Sequence, residues 1–315
     1  MLKVVIMGGA GFLGSNLSRT LLDNKFEVYC LDNLSTGSTT NIHQLVNHPN
    51  FTFIEHDVRN KFSFNCDWIV NLASPASPLR YQLNPVGTLT TNFQGTLNGL
   101  ELARETGAKF LQASTSEIYG DPEIHPQVEN YWGNVNPVGI RSCYDEGKRA
   151  AETLCSDFAR QYSVKSTIVR IFNTYGPGMA RDDGRVVSNF IVQALEQKNL
   201  TIYGDGTHTR SLCFVDDLIK AFVKILLMTD YVFGPINLGN PSQITMFDLA
   251  NQIILLTKSK SQLIYVDLPN DDPKKRQPDI SLAKKILGWE PTVDLESGLM
   301  STIDYFKGIT VRSFQ

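Results

Sequence analysis

The sequence predicts an α/β fold: a doubly wound parallel sheet with a smaller C-terminal region laid over it. Three observations predict it. Six short β-rich runs alternate with helical patterns through the first half, a glycine-rich turn directly follows the first run, and after Phe172 the rhythm breaks into loops rich in Gly, Asp, Asn and Pro. Strands that alternate with helices pair in parallel through right-handed crossovers, which places helices on both faces of the sheet. The chain has 315 residues, 42% hydrophobic and 19% charged. That length accommodates about two domains, and the composition excludes intrinsic disorder, collagen-like repeats and coiled coil.

The predicted strands are Lys3 to Met7, Phe26 to Leu31, Phe51 to Glu55, Asp67 to Leu72, Lys109 to Ala113 and Ser166 to Ile171. Between them apolar residues take helical spacing, as at Leu17, Leu21 and Leu22, and in a long helix expected from Val86 to Glu105. Loops are expected at Asn173 to Arg185, Gly204 to Thr209, Asn237 to Ser242 and Leu268 to Asp279. The expected division assigns residues 1–172 and 211–236 to the sheet domain. Residues 173–210 and 237–315 form the region over the carboxyl ends of the strands.

Lys and Arg number 29 against 32 Asp and Glu, a formal net charge of -3 that gives no basic footprint for nucleic acid or an anionic membrane. The most apolar stretch, Leu218 to Phe233, is interrupted by Lys220, Lys224 and Asp230, short of the ~18 uninterrupted apolar residues of a membrane helix. The first strand is expected to begin at Lys3, leaving no room for an anchor ahead of it, and a cytoplasmic location is expected. The 5 cysteines lack CxxC spacing and the 5 histidines never fall at metal-ligand spacing, so neither a disulfide framework nor a metal site is expected.

Met7-Gly8-Gly9-Ala10-Gly11-Phe12-Leu13-Gly14 joins the first strand to a helix. Glycines at Gly8, Gly11 and Gly14 suit a tight turn, close approach of backbone to a pyrophosphate and close helix–strand packing, and the helix N-terminus offers free N–H donors. The second strand ends at Asp32, where a carboxylate bonds both ribose hydroxyls and repels a 2′-phosphate. Together these features predict a Rossmann site for NAD rather than NADP. Asp57 and Val58 fall where such folds contact adenine, although a turn would equally account for the Asp.

Tyr144 and Lys148 stand four apart, on one face of a helix. A phenol with an ordinary pKa near 10 is a poor base at neutral pH. A cation at ~4 Å and an effective dielectric near 20 is worth roughly 4 kcal/mol, so Lys148 is expected to bring Tyr144 close to working pH. Ser114-Thr115-Ser116-Glu117-Ile118-Tyr119-Gly120 places Thr115 at a strand end, able to bond the same substrate oxygen.

These motifs make the sequence similar to the extended short-chain dehydrogenase/reductases, and among them it resembles the UDP-glucuronate decarboxylase family. The resemblance rests on Ala73 to Pro78, Ser114 to Gly120, His125 to Gln127, Cys143 to Arg149, Arg170 to Pro177, Asp183 to Phe190, Gly204 to Arg210, and Asp271-Asp272-Pro273 through Ile280. It implies a cycle in which Tyr144 takes the proton of the sugar C4 hydroxyl, Thr115 steadies that oxygen and Lys148 holds the nicotinamide ribose. Carbon dioxide then leaves a 4-keto uronate and NAD is regenerated.

By the same resemblance Ser116 and Glu117 belong to the active site, Ser116 replacing the Asp that sugar 4,6-dehydratases use to expel a hydroxyl. Glu117 is expected to repel the substrate carboxylate or to order a proton-donating water; a helix-capping role is the alternative. Arg210 matches an arginine near the sugar carboxylate. Asn173, Arg185 and Arg276 match contacts to the diphosphate and its ribose, Tyr203 lies by the uracil, and Asn92 lies near nicotinamide and sugar. Further implied cofactor contacts are Phe12, Leu13, Asn33, Leu72, Ser74 and Thr91.

Leu97, Leu100, Leu154 and Phe158 suit either core packing or the four-helix bundle of a homodimer. Thr90, Gly178 and Leu212 depart from the family pattern of Lys, Arg and Phe, and are expected near the sugar pocket. They leave UDP-N-acetylglucosaminuronate as an alternative substrate. A UDP-sugar 4-epimerase is the other alternative, against which Ser116, Glu117 and Arg210 speak.

Overall fold

The computed structural model describes residues 1–268 and 275–312. Its centre is a parallel sheet of β1 (Lys3–Met7), β2 (Glu27–Asp32), β3 (Phe51–Glu55), β4 (Trp68–Asn71), β5 (Lys109–Thr115) and β6 (Ser166–Ile171), completed by a seventh strand, Ile236–Leu238. From one edge the order is the seventh strand, β6, β5, β4, β1, β2, β3. Chain progression reverses between β1 and β4, so the helices on either side diverge and leave a crevice above the strand ends.

Side chains alternate across the sheet. Val4 and Ile6 join a cluster with Leu17, Leu21, Leu218 and Phe222, whereas Val5 and Met7 join one with Leu100, Phe110 and Phe158. All four of these β1 residues have no solvent exposure. A central strand covered by helices on both faces must be apolar on both, and β1 is.

Three features differ from expectation. β5 runs on to Thr115, which therefore stands at the tip of the strand. The loop expected from Asn237 begins instead as strand, pairing Ile236–Leu238 with Val169–Ile171 in parallel. The expected domain boundary at 236 thus falls within a strand, because three residues between Pro235 and Gly239 are too few to show a period. The long helix exists, as Pro85–Thr90 and Thr96–Thr106, but Thr91–Gly95 between them forms a wider π-helical turn. There Gly95 packs so closely that an added Cβ would lie 2.9 Å from Val58 Cγ2.

The second half contributes the helices Val186–Leu195, Met246–Thr257, Ser281–Leu287 and Leu295–Arg312. It also forms three small strand pairs among the described residues, Thr174–Tyr175 with Cys213–Phe214, Leu200–Tyr203 with Leu263–Val266 and Thr209–Ser211 with Gln243–Thr245. Among the described residues no helix is long and apolar enough to cross a membrane. The stretch Asp271-Asp272-Pro273 lies outside the described residues.

Asp217, fully buried at the start of the helix Val215–Leu227, ties the sheet domain to the segment leading into the last helix. It accepts from the Thr292 and Val293 backbone N–H groups at 2.8 Å each, the Thr292 hydroxyl at 3.0 Å and Lys220 Nζ at 3.0 Å. Burial opposes the charge, but these donors outweigh it and hold the carboxyl below the usual range. Asp217→Ala is expected to cost about 2–4 kcal/mol, since two buried N–H groups lose their acceptor. A depressed pKa contributes stability that is complete above about pH 4 and is lost as the pH falls through the folded-state value. Urea denaturation at pH 7 and pH 3 should therefore show the gap between variant and wild type shrinking in acid.

Candidate active site

A cavity of about 950 Å³ opens over the carboxyl ends of the strands. Gly8, Gly11, Phe12, Leu13 and Gly14 line one wall, with Leu72 and Ser74 beside them. Gly8 has φ +78°, and a Cβ there would lie 2.8 Å from Ala73 Cα; one on Gly14 would lie 2.3 Å from Gly8 O. No side chain caps the helix Phe12–Asp23, so its first N–H groups remain donors at the cavity wall. Asp32 is buried next to this wall, accepting from Ala10 N at 2.9 Å and Leu34 N at 2.8 Å, with burial raising its pKa.

Thr115, Ser116, Glu117, Tyr144 and Lys148 line the middle of the cavity. Tyr144 and Lys148 rise from one face of the helix Ser142–Tyr162. The Thr115 hydroxyl accepts the Glu117 N–H at 3.2 Å, which leaves its proton free to donate, and Thr115 acts to lower the pKa of the neighbouring Tyr144. The Tyr144 ring stacks on Tyr81, centroids 5.3 Å apart and planes at 6°.

Lys148 stands over the Tyr144 ring, but the lowering of the phenol expected from it is outweighed by burial. Its ammonium donates to Ala113 O at 2.9 Å, lies 5.8 Å from the Tyr144 ring centroid, and is itself lowered to about 8 by burial. Burial pushes the Tyr144 phenol well above its ordinary value, against the opposing effects of Thr115 and Arg185. The sequence-based estimate included the cation but not the cost of removing a phenolate from water.

Glu117, its side chain 16% exposed, lies between two guanidiniums: Arg141 Nη2 donates to its Oε2 and Arg276 Nη1 to its Oε1. Burial favours its neutral form, but the two cations prevail and hold it at about 2. It is therefore an ion-paired carboxylate lining the cavity, not a helix cap. Asp145, one residue past Tyr144, is pushed up to about 7 by burial and by the charge of Glu117. Buried atoms without a hydrogen-bond partner among the described residues include Ser77 Oγ, Tyr81 OH, Asn92 Oδ1 and Arg276 Nη2. Ser77, Tyr81 and Arg276 line the cavity, and because buried polar groups are rarely left unmatched they mark a place for a polar ligand.

Asn173, Arg185, Tyr203 and Arg210 line the remaining wall. Arg185 pairs with Asp183 and lies 5.8 Å from the Phe12 ring centroid. Arg276, expected at the diphosphate, sits instead on Glu117. Asn33, Asp57, Val58, Thr91 and Asn92 are not among the lining residues. Asp57 pairs with Arg59, which holds it at about 2, and also bonds Asn33. Val58 accepts Asn98 Nδ2 at 2.9 Å, and Asn92 is buried on the π-helical turn. Of the three departures, Gly178 and Leu212 line the cavity, whereas Thr90 is exposed and donates to Val86 O at 2.8 Å.

Sequence reasoning missed Arg141 and Tyr81. Arg141 precedes Tyr144 by three residues, a spacing that was available as a signal. Behind the site, Arg170 donates to Glu152 at 3.0 and 2.8 Å and to Tyr119 OH at 2.9 Å. This network anchors the helix one turn past Lys148.

The model of the NAD dependent epimerase/dehydratase family matches residues 4–239. The chain belongs to this family. It is 52% identical over 299 residues to UDP-glucuronic acid decarboxylase 3 of Arabidopsis thaliana, covering 95% of this chain and 87% of the relative. UDP-glucuronic acid decarboxylase 1 of Danio rerio is 50% identical, with 96% and 72% covered. Among solved structures, UDP-glucuronic acid 4-epimerase from Bacillus cereus, in complex with UDP-glucuronic acid and NAD, superposes with a TM-score of 0.89 at 29% identity, covering 98% of this chain and 100% of that one. UDP-glucose 4-epimerase from Thermotoga maritima gives 0.89 at 28%, with the same coverage.

The family is NAD dependent, and the residues present fit NAD: a glycine wall without room for a methyl group, an uncapped helix start and a buried carboxylate at the end of β2. Gly14→Ala is expected to weaken NAD binding by more than about tenfold, roughly 1.4 kcal/mol, as measured by fluorescence quenching. Because burial lowers Lys148 to about 8, its ammonium is lost as the pH rises through that value. NAD affinity should fall over the same interval; a flat titration from pH 6.5 to 9.5 would contradict the assignment of Lys148 to the cofactor ribose.

Proposed function

We propose that this enzyme decarboxylates UDP-glucuronate to UDP-xylose, using NAD that is regenerated in each turnover. The observation that carries the reading is the 52% identity over 95% of the chain to a UDP-glucuronic acid decarboxylase, and the site supplies a mechanism. A cofactor-binding part, residues 1–172 and 211–236 extended to Leu238, faces a nucleotide-sugar-binding part made by the remainder.

The chemistry NAD supplies when bound is acceptance of a hydride from C4 of the sugar and its later return. Tyr144, whose phenolate is favoured against burial by Thr115, Arg185 and the positive charge that bound NAD would bring, takes the proton of the C4 hydroxyl, and Thr115 donates a hydrogen bond to the same oxygen. Oxidation at C4 makes the sugar a β-keto acid. When carbon dioxide leaves, its bonding electrons enter the ketone as an enolate, whose oxygen Tyr144 and Thr115 stabilise. Glu117, held ionised at about 2, is not the acid that protonates C5; it orders the water that does so. Its two guanidiniums cancel the repulsion of the substrate carboxylate that the sequence suggested.

The roles of two arginines are exchanged relative to the sequence reading. Arg276, with Nη2 unpartnered beside Glu117, receives the sugar carboxylate. Arg210, whose Nη1 bonds Thr209 O at 3.0 Å, joins Arg185 and Asn173 at the diphosphate, with Tyr203 at the uracil. Leu97, Leu100, Leu154 and Phe158 all pack in the core, so a homodimer would form through the outer stripe Val86, Leu89 and Phe93 of the same helix, which is exposed. A cytoplasmic location is part of the same reading.

Incubation with UDP-glucuronate and NAD should release carbon dioxide and give UDP-xylose with no lasting NADH absorbance. A product of unchanged mass by mass spectrometry would identify a 4-epimerase, and turnover of UDP-N-acetylglucosaminuronate alone would move the substrate to the acetamido sugar. Tyr144→Phe should lower kcat by about 10²–10⁴-fold with NAD affinity retained.

A further inference from the structure

We propose that Gln127 is a positioning residue, which sets Arg276 in place for the sugar carboxylate without touching the substrate. The inference rests on the decarboxylase reading and deepens it. Gln127 closes the stretch His125-Pro126-Gln127, none of which lines the cavity. It is nevertheless only 1% exposed, and it grips the residues that follow Arg276. Its N–H donates to Gln277 O at 2.9 Å, its side-chain Oε1 accepts the Gln277 N–H at 2.8 Å, and its carbonyl accepts the Asp279 N–H at 2.9 Å. Both backbone groups of Gln277 are thus taken by one residue 150 positions away in the chain. On its other side Gln277 Nε2 donates to Pro241 O at 2.8 Å. Arg276 emerges directly from this grip, buried, with Nη1 on Glu117. The position calls for an amide: Oε1 faces a donor while Nε2 donates to Ile124 O at 2.9 Å, and neither a carboxylate nor a hydrocarbon satisfies both.

The same residue ties Arg276 to the group that holds the C4 oxygen. Gln127 O also accepts Asn237 Nδ2 at 3.0 Å, and Asn237 Oδ1 accepts the Tyr119 hydroxyl at 2.8 Å. That hydroxyl accepts Arg170 Nη1 at 2.9 Å, and Arg170 and the Ser114 hydroxyl both donate to Glu152. Ser114 is the neighbour of Thr115 on β5. Thr115 and Arg276 therefore hang from one buried hydrogen-bonded frame, whose members polarise and fix one another. Decarboxylation gives that frame a purpose. The bond to the departing carbon dioxide must stand across the plane of the C4 ketone, so that its electrons enter the carbonyl. Thr115 at the C4 oxygen and Arg276 at the carboxylate hold the two ends of that geometry, and a small misplacement of either costs binding and rate.

The test reads binding by calorimetry on NAD-loaded enzyme in the Tyr144→Phe background, where turnover is too slow to disturb the equilibrium. UDP-glucuronate is compared with UDP-xylose, which lacks the carboxylate. Gln127→Met keeps the volume but removes the amide; it should weaken UDP-glucuronate about tenfold and UDP-xylose by less than about twofold. On top of Arg276→Gln the same substitution should change UDP-glucuronate by less than about twofold, because the residue it positions is gone. NAD affinity within about twofold of the parent certifies the fold. Should Gln127→Met fold poorly, Gln277→Ala gives up the side-chain anchor at Pro241 and should weaken UDP-glucuronate about threefold with UDP-xylose unaltered. Equal losses for the two ligands, no loss at all, or a full further loss on top of Arg276→Gln would show a merely structural role and overturn the proposal. If Arg276→Gln alone leaves UDP-glucuronate binding unchanged, it is the placement of Arg276 in the decarboxylase reading that fails, a result visible without any change at Gln127.

Discussion

The reversal of strand order between β1 and β4 is the constraint on which the rest of this protein depends. Right-handed crossovers send the helices on either side of that point to opposite faces of the sheet, so no element covers the carboxyl ends of the strands there. The glycine turn leaves β1 at this gap, Leu72 and Ser74 leave β4, and Thr115 stands at the tip of β5. Cofactor wall and reacting groups are neighbours because the sheet delivers them to one crevice, and the second half of the chain closes over it.

Buried charge is handled in one way throughout. Asp217, Glu152 and Glu117 are each taken out of water and each surrounded by several donors. For Asp217 and Glu152 the donors include backbone N–H groups, or a hydroxyl and a single guanidinium, and the result is a rigid joint. Glu117 instead receives two guanidiniums, Arg141 from the segment just before the helix of Tyr144 and Arg276 from far along the chain. A chain with a net charge of -3 thus still gathers the guanidiniums of Arg141, Arg185, Arg210 and Arg276 around its cavity, a local grouping that whole-chain charge does not reveal.

Much of this was legible beforehand, because it is written in short-range patterns. Apolar runs located β1, β3 and β6 to the residue, glycine spacing located the cofactor wall, and the four-residue step from Tyr144 to Lys148 placed both on one helix face. Ile236–Leu238 escaped because a three-residue buried strand has no period to detect. The π-helical turn at Thr91–Gly95 escaped because it follows from how closely Gly95 packs on Val58, a contact between distant segments.

Local chemistry therefore settled the fold class and the cofactor and singled out candidate reacting side chains, since each depends on residues within a turn or two of one another. Tertiary structure alone decided their electrostatics. Arg276 reaches Glu117 from 159 residues away along the chain, which no spacing rule encodes. The pKa of Tyr144 is set by how completely folding removes it from water, a property of the closed cavity rather than of the tyrosine and lysine themselves.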